Sequence, residues 1–142
     1  MKSLNFIPFP TLDSDRLRFR KLTNDDAPEI LKLRGNPKTM KFIPRPLLVD
    51  IDGALAHIKL INEKIDENVD INWAVTKKNN DKCIGIMGFY RTQPEHFRTE
   101  LGYMILPEHA GKGYVTEAVN TILNFAFHKL DFHSIEAVID SR

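Results

Sequence analysis

The chain has 142 residues, of which 42% are hydrophobic and 27% charged, and its formal net charge is +1. This composition is typical of one globular domain with a buried core, and the near-neutral charge gives no general attraction to nucleic acid or to an anionic membrane, so any anion site must be local. The single Cys83 excludes an internal disulfide, no apolar run is long enough to span a bilayer, and the first ten residues make a poor signal peptide, so we expect a cytoplasmic protein.

The first half of the chain predicts one strand and two helices. Residues 17–22 alternate apolar and basic side chains, as a half-buried strand does. The next stretch predicts a helix, because Thr23 and Asp26 have the spacing of a capping box and "GNP" provides a stop. Residues 51–67 predict a second helix with one apolar stripe, made of Ile51, Ala54, Leu55, Ile58, Ile61 and Ile65.

The second half predicts a β-hairpin, a further strand, a third helix and a last strand. The hairpin turn is expected at Asn79-Asn80-Asp81, and the strand at residues 98–106 places Leu101, Tyr103 and Ile105 on one face. A clear helical period then runs from Val115 to the region of residue 130, and residues 134–140 alternate as a strand. The order β-α-α-β-β-β-α-β implies a mixed sheet with helices on its faces.

The stretch "PEHAGKGYVTEAV", residues 107–119, places Gly111 and Gly113 around Lys112 at the start of the third helix. A helix start carries unpaired N–H groups and a partial positive charge, and glycines allow such groups to gather around a phosphate or pyrophosphate. The alternative is a strand-to-helix turn in which the glycines are there for steric reasons. A dinucleotide fingerprint would need a glycine in place of Thr116, and no Walker loop is present.

The longer stretch "ELGYMILPEHAGKGYVTEAV", residues 100–119, resembles the central motif of the GNAT superfamily of N-acetyltransferases. It resembles in particular the branch that includes ribosomal-protein N-terminal alanine acetyltransferases, and "LDSDRLRFRKLTNDD" is similar to the opening strand of that branch. The resemblance implies a single GNAT domain over residues 1–142 with an α/β (α+β) fold: a mixed, mostly antiparallel central sheet flanked by helices.

The family pattern normally continues with a helix and two more strands, where this chain stops at Arg142. The resemblance therefore implies a GNAT-like fold that lacks the C-terminal strands. Such a chain would be a fragment, an inactive domain, or a chain that another copy completes, as in a homodimer that covers the open sheet edge.

The resemblance also implies acetyl-CoA as the co-substrate, with no metal. In the family the strand end pairs with the pantetheine arm as an extra strand would, and the glycine turn holds the pyrophosphate through backbone N–H groups. Carried to this chain, the cofactor-binding residues would be Met104, Ile105, Leu106, His109, Ala110, Gly111, Lys112, Gly113, Tyr114, Val115 and Thr116. The family usually has Gln or Arg at the position of Glu108, which we expect to face solvent.

Glu100 matches the acidic residue to which this branch assigns the role of catalytic base. Its alternative role is a strand carboxylate paired with Arg98 or Arg91. An α-amine has a reference pKa about 2.5 below that of lysine, so its deprotonation at neutral pH costs roughly 3 kcal/mol less, and a carboxylate acting through a water is a sufficient base. Backbone N–H near Met104 would stabilise the oxyanion.

The remaining candidate residues receive simpler interpretations. Cys83 is expected to be a buried structural thiol, Trp73 a core residue, His96 solvent-facing and His133 the start of the last strand, while Phe42 and Ile43 would line the acceptor site by analogy with the family. No set of His, carboxylate and Cys residues has metal-ligand spacing.

The sequence thus predicts an N-acetyltransferase that acts on a primary amine, in particular a protein N-terminus. One alternative is a small-amine or antibiotic acetyltransferase on the same fold, and another is a catalytically incompetent acyl-CoA-binding module. The chain has no basic stripe and no array of base-stacking aromatics, so neither nucleic acid nor a membrane is an expected partner.

Overall fold

The structure of the chain is a computed structural model that describes residues 9–35, 47–67, 70–93, 98–129 and 134–138. Within these ranges it gives only the backbone of residues 90–93, 98–100, 127, 129 and 134–138. The elements in chain order are β1 (Leu12–Asp13), β2 (Leu17–Arg20), α1 (Ala27–Arg34), α2 (Ile51–Asp66), β3 (Ile71–Lys77), β4 (Asn80–Gln93), β5 (Arg98–Ile105), α3 (Tyr114–Lys129) and β6 (Ser134–Val138).

The strands form a single six-stranded sheet in the order of the chain. Strands β1 to β5 pair antiparallel, whereas β6 pairs parallel to β5 after the crossover through α3. This arrangement confirms the predicted mixed, mostly antiparallel sheet. The two faces of the sheet carry different helices. Trp73 of β3 contacts the ring of Phe125 in α3, with centroids 5.7 Å apart, while Arg20 of β2 reaches the start of α1.

The predicted helices agree with the structure within a few residues, because their apolar periods are long and regular. At the start of α1 the Thr23 N–H donates to Asp26 Oδ2 at 2.8 Å, as the capping-box spacing predicted. The predicted stripe of α2 is buried at Ala54, Ile58, Ile61 and Ile65, but Ile51 in its first turn is 42% exposed.

Three details of the sheet differ from the prediction. The hairpin turn lies at residues 78–79, because β3 continues to Lys77 and β4 begins at Asn80, and register shifts around Thr76 move the pairing. The first predicted strand ends at Arg20, two residues early, and the two-residue strand β1 was not predicted. Such short irregular pairings leave no period in the sequence and are decided by the neighbouring strand.

The core lies on both sides of β3, β4 and β5. Trp73, Phe19 and Phe89 are fully buried, and the indole Nε1 of Trp73 donates to the Pro10 carbonyl at 2.7 Å, which confirms Trp73 as a core residue. Cys83 is 1% exposed, and burial raises the pKa of its thiol to about 12, so the thiol is protonated at neutral pH. Its predicted structural role is confirmed. No helix in the described ranges is long and apolar enough to cross a bilayer.

Candidate active site

At the C-terminal end of β5, one side of the backbone carries N–H and C=O groups that do not pair with β4. The Leu106 N–H donates to the Ile84 carbonyl at 2.9 Å, and the register continues with Gly85 opposite Ile105 and Ile86 opposite Met104. Since N–H groups alternate in direction along a strand, the Met104 N–H faces β4, whereas the amide and carbonyl of Ile105 face away from it. Of the three strand-end residues predicted to pair with pantetheine, Ile105 alone directs its N–H away from β4.

A short 3₁₀ turn, Pro107–His109, follows β5. The His109 N–H donates to the Leu106 carbonyl at 2.9 Å, and the Ala110 N–H donates to the Pro107 carbonyl at 3.1 Å. Both N–H groups belong to the predicted pyrophosphate cradle, but each is already hydrogen-bonded to a carbonyl of the turn. The available part of the cradle therefore begins at Gly111.

The glycine turn proper has the backbone form that an anion cradle requires. Gly111 has φ 74° and Gly113 has φ 79°, in the left-handed region that favours glycine. The first hydrogen bond of the helix joins the Glu117 N–H to the Gly113 carbonyl at 3.1 Å, and the N–H groups of residues 111–116 have no acceptor among the described residues. Unpaired donors at the positive end of a 16-residue helix fit a phosphate or pyrophosphate group.

Four side chains of the predicted cradle lie at this turn. Lys112 and Thr116 are exposed, and Tyr114 and Val115 are half-buried against the sheet. Glu108 is exposed, as predicted.

His109 contributes a buried ring nitrogen to the turn. Its Nδ1 is buried with no hydrogen-bond partner, and its ring centroid lies 6.4 Å from that of Tyr114. Burial lowers the pKa of His109, and the charges of Lys77, Lys112 and Lys82 lower it further, against the opposing effect of Glu108. The neutral form of the imidazole is therefore favoured, and three lysines, from β3, β4 and the glycine turn, raise the local positive potential.

An apolar cleft lies between the sheet and the first turn of α3. It is lined by Val75, Gly85, Ile86, Met87, Tyr103, Met104, Ile105, Tyr114, Val115 and Ala118. The cleft includes Ile105, whose outward N–H and C=O form an open edge among the described residues, and Tyr114, the residue after Gly113. An elongated ligand with an alkyl-amide arm and a phosphate end could contact the apolar wall and the strand edge with its arm and the anion cradle with its phosphate.

Arg16 and Glu117 join the segment before β2 to the start of α3, and neither was a predicted site residue. The Arg16 Nε donates to Glu117 Oε1 at 2.7 Å, the Arg16 backbone N–H donates to Glu117 Oε2 at 2.7 Å, and Ser14 Oγ donates to the same carboxylate. Arg16 Nη1 also donates to the Lys112 carbonyl at 3.0 Å. Both partners stand inside the two stretches that resemble the family, but 101 positions separate them. Only their shared presence in those stretches hints at a contact.

The remaining predicted residues fall partly outside the described structure. Glu100 lies in β5 opposite Tyr90 of β4 and Glu136 of β6, but its side chain, like those of Arg91 and Arg98, is not described. His96, His133, Phe42 and Ile43 lie outside the described residues. In the described ranges, no group of three or more His, Cys, Asp or Glu could hold a metal ion.

The chain is similar to several acetyltransferases. An acetyltransferase (GNAT) domain model matches residues 16–142. The uncharacterized N-acetyltransferase YoaA of Bacillus subtilis is 29% identical over 131 residues, which are 92% of this chain and 74% of YoaA. The ribosomal-protein-S5-alanine acetyltransferase of Vibrio fischeri has the same fold, with a TM-score of 0.73 at 21% identity, over 90% of this chain and 73% of that one.

A structure of the spermidine N-acetyltransferase of Vibrio cholerae in complex with CoA and spermine is also similar. It matches with a TM-score of 0.73 at 26% identity and covers 85% of this chain and 69% of that chain.

Proposed function

The chain belongs to the GNAT acetyltransferase family and is an N-acetyltransferase, and we propose that it transfers the acetyl group of acetyl-CoA to the α-amine of a protein N-terminus. The observation that carries the cofactor half of this proposal is the glycine turn. Its N–H groups at residues 111–116 have no acceptor among the described residues, at the positive end of α3. A CoA complex of the Vibrio cholerae neighbour supports the same cofactor.

Acetyl-CoA would lie across three features of this chain. Its pyrophosphate would be held by N–H groups of the glycine turn and by the positive potential of Lys112. Its pantetheine arm would pair with the open edge of Ile105 and rest on the apolar cleft. When bound, acetyl-CoA supplies the activated thioester carbonyl.

Glu100 would act as the base that takes a proton from the acceptor ammonium. It stands in β5, the strand whose C-terminal end carries Met104 and Ile105. A carboxylate acting through a water is a sufficient base for this step. An N-terminal α-amine suits so modest a base, because its reference pKa of about 7.7–8.0 leaves much of it neutral at pH 7.

A small polyamine is the second candidate acceptor. The observation that favours it is the similarity to the Vibrio cholerae spermidine N-acetyltransferase, which covers 85% of this chain. A polyamine carries several ammonium groups of higher pKa than an α-amine. Its deprotonation would need a stronger base or more acidic residues around the acceptor.

The experiment measures thiol release from acetyl-CoA with two acceptors, an alanine-starting peptide and spermine. We expect turnover with the peptide, and we expect Glu100→Gln to lower it by about 10²- to 10⁴-fold, the usual contribution of a positioned base. Glu108→Gln is the matched control, because Glu108 is an exposed glutamate of the 3₁₀ turn that follows β5 and should change turnover less than twofold.

Each other outcome selects a different function. Turnover with spermine and none with peptide would establish the polyamine alternative. Stabilisation by acetyl-CoA without thiol release from either acceptor would establish an acyl-CoA-binding module. At a concentration 100 times Kd, binding should add about 2.7 kcal/mol to the free energy of unfolding, and no stabilisation at all would reject the cofactor.

A further inference from the structure

Arg16 makes more contacts at the glycine turn than its exposure suggests. Its side chain is 45% exposed, yet it bonds Glu117 through Nε and the Lys112 carbonyl through Nη1, and its Cζ lies 4.5 Å from the centroid of the Tyr114 ring. A single exposed ion pair contributes little because two flexible side chains must be ordered. Here the backbone N–H of Arg16 and Ser14 Oγ also bind Glu117, so the carboxylate is held from three donors.

The contact with Lys112 determines the direction of the next amide. In a planar trans peptide the carbonyl of one residue and the N–H of the next point in opposite directions. Because Arg16 Nη1 holds the Lys112 carbonyl at 3.0 Å, the Gly113 N–H points away from Arg16, toward the side where an anion can bind. The guanidinium also lies close to Gly113, since a Cβ placed there would be 3.3 Å from Arg16 Nη2.

Arg16 also neutralises an acid at the anion site. Glu117 lies in the first turn of α3, where a bare carboxylate would repel a pyrophosphate. Burial by itself would raise the pKa of Glu117, but hydrogen bonds from Ser14 and Arg16 outweigh it and lower that pKa. The hydrogen bond to Glu117 in turn raises the pKa of Arg16. The pair is therefore fully ionised, and its charges cancel beside the cradle.

We infer that Arg16 is a positioning residue, which holds the glycine turn in the form that accepts the pyrophosphate of CoA and cancels the charge of Glu117. This inference rests on the proposed cofactor. It assigns to the segment just before β2 a role in cofactor affinity, although that segment lies about 100 positions from the turn in the sequence. The planar guanidinium is needed, because a lysine ammonium cannot bond Glu117 and the Lys112 carbonyl in a fixed fork while it stacks on Tyr114.

The test compares Arg16→Lys with Arg18→Lys. Arg18 is the matched control, because it lies two residues after Arg16, makes an exposed ion pair with Asp13 of β1, and has no hydrogen bond to the turn among the described residues. CoA affinity is measured by calorimetry, and turnover is measured with acetyl-CoA and with S-acetyl-pantetheine, a thioester that lacks the pyrophosphate. We expect Arg16→Lys to weaken CoA binding and to raise the KM for acetyl-CoA about tenfold, with kcat and the S-acetyl-pantetheine reaction unchanged.

The outcomes separate this inference from the proposed function. A loss of activity with both donors, or a CoA affinity equal to that of Arg18→Lys, would overturn the positioning role and leave the acetyl-CoA assignment intact. Wild-type protein that binds no CoA would overturn both. Glu117→Gln provides a second variant, because it removes the same ion pair from the opposite side, and we expect it to weaken CoA binding without changing the S-acetyl-pantetheine reaction.

Discussion

Arg16, directly before β2, and Arg20, its last residue, bind α3 and the start of α1 respectively, and their surroundings give them different roles. Arg20 bonds both carboxylate oxygens of Asp26, at 2.8 and 2.9 Å, and the two side chains are 17% and 4% exposed. The Arg16 guanidinium bonds Glu117 at a similar distance, 2.7 Å, but through Nε alone, and its side chain is 45% exposed. Burial therefore makes the Arg20 pair a determinant of folding, whereas the Arg16 pair shapes a turn whose N–H groups remain open.

Similar ion-pair distances therefore need not mean similar energies. Removing one partner of a buried pair leaves the other charge desolvated, which is costly, while solvent screens an exposed pair. What distinguishes Arg16 is its contact with a carbonyl of the cradle. We expect the loss of Arg16 to lower mainly the ligand affinity, and the loss of Arg20 to lower mainly the stability.

The largest effect is expected from Arg20→Ala. This change leaves the Asp26 carboxylate, which is 4% exposed, without its cation, so we expect the free energy of unfolding to fall by about 3 kcal/mol in denaturant titrations. Asp81→Asn is the control. It removes the other ion pair of Arg20, but Asp81 is 83% exposed, and the change should cost below about 1 kcal/mol. Equal losses for the two variants would contradict the role of burial.

An intermediate effect is expected at the two glycines of the turn. Gly111→Ala and Gly113→Ala both place an L-residue at positive φ, which costs roughly 1–2 kcal/mol in thermal unfolding. A Cβ at Gly111 meets nothing within 4 Å, whereas one at Gly113 meets Arg16 Nη2 at 3.3 Å. Gly113→Ala should therefore be the less stable variant and should also bind CoA more weakly than Gly111→Ala. If Gly111→Ala were instead the less stable variant and the weaker CoA binder, Arg16 would have no role in shaping the cradle.

The smallest effect is expected from Glu117→Gln in acid. Because the pKa of Glu117 is lowered in the folded state, its contribution is present above the unfolded pKa near 4.5 and is lost as pH falls through the lower folded value. Stability of the wild type should fall across that window, and the Glu117→Gln curve should be flatter there. Parallel curves in pH-dependent unfolding would show that the ion pair adds nothing measurable.

The long helices were predictable from the sequence, and the sheet register was not. The apolar period after Val115 predicts α3 because neighbouring residues alone generate it, and the structure places that helix at Tyr114–Lys129. The hairpin turn was predicted too late, because the register shifts around Thr76 depend on how β3 and β4 meet. The capping box at Thr23 and Asp26 is a local pattern and was predicted correctly.

For the candidate site, the location was predictable from the sequence, but the direction of its backbone amides was not. Its location at the glycine turn follows from "HAGKGYVT" and from the family motif around it. The amides of His109, Ala110 and Leu106 were assigned to the ligand, but carbonyls of the turn and of β4 accept them. No pattern in the sequence states which way an amide points once a neighbouring strand or turn can bind it.

The sequence by itself determined the main elements and their order, the place of the glycine turn and membership of an acetyltransferase family, because each is encoded in a contiguous stretch. The tertiary structure alone decided that Ile105 directs its N–H away from β4, that the available cradle begins at Gly111, and that Arg16 meets Glu117 across 101 positions. The physical reason is that hydrogen bonds and ion pairs depend on direction and distance in space, and only the packed sheet and helix establish both.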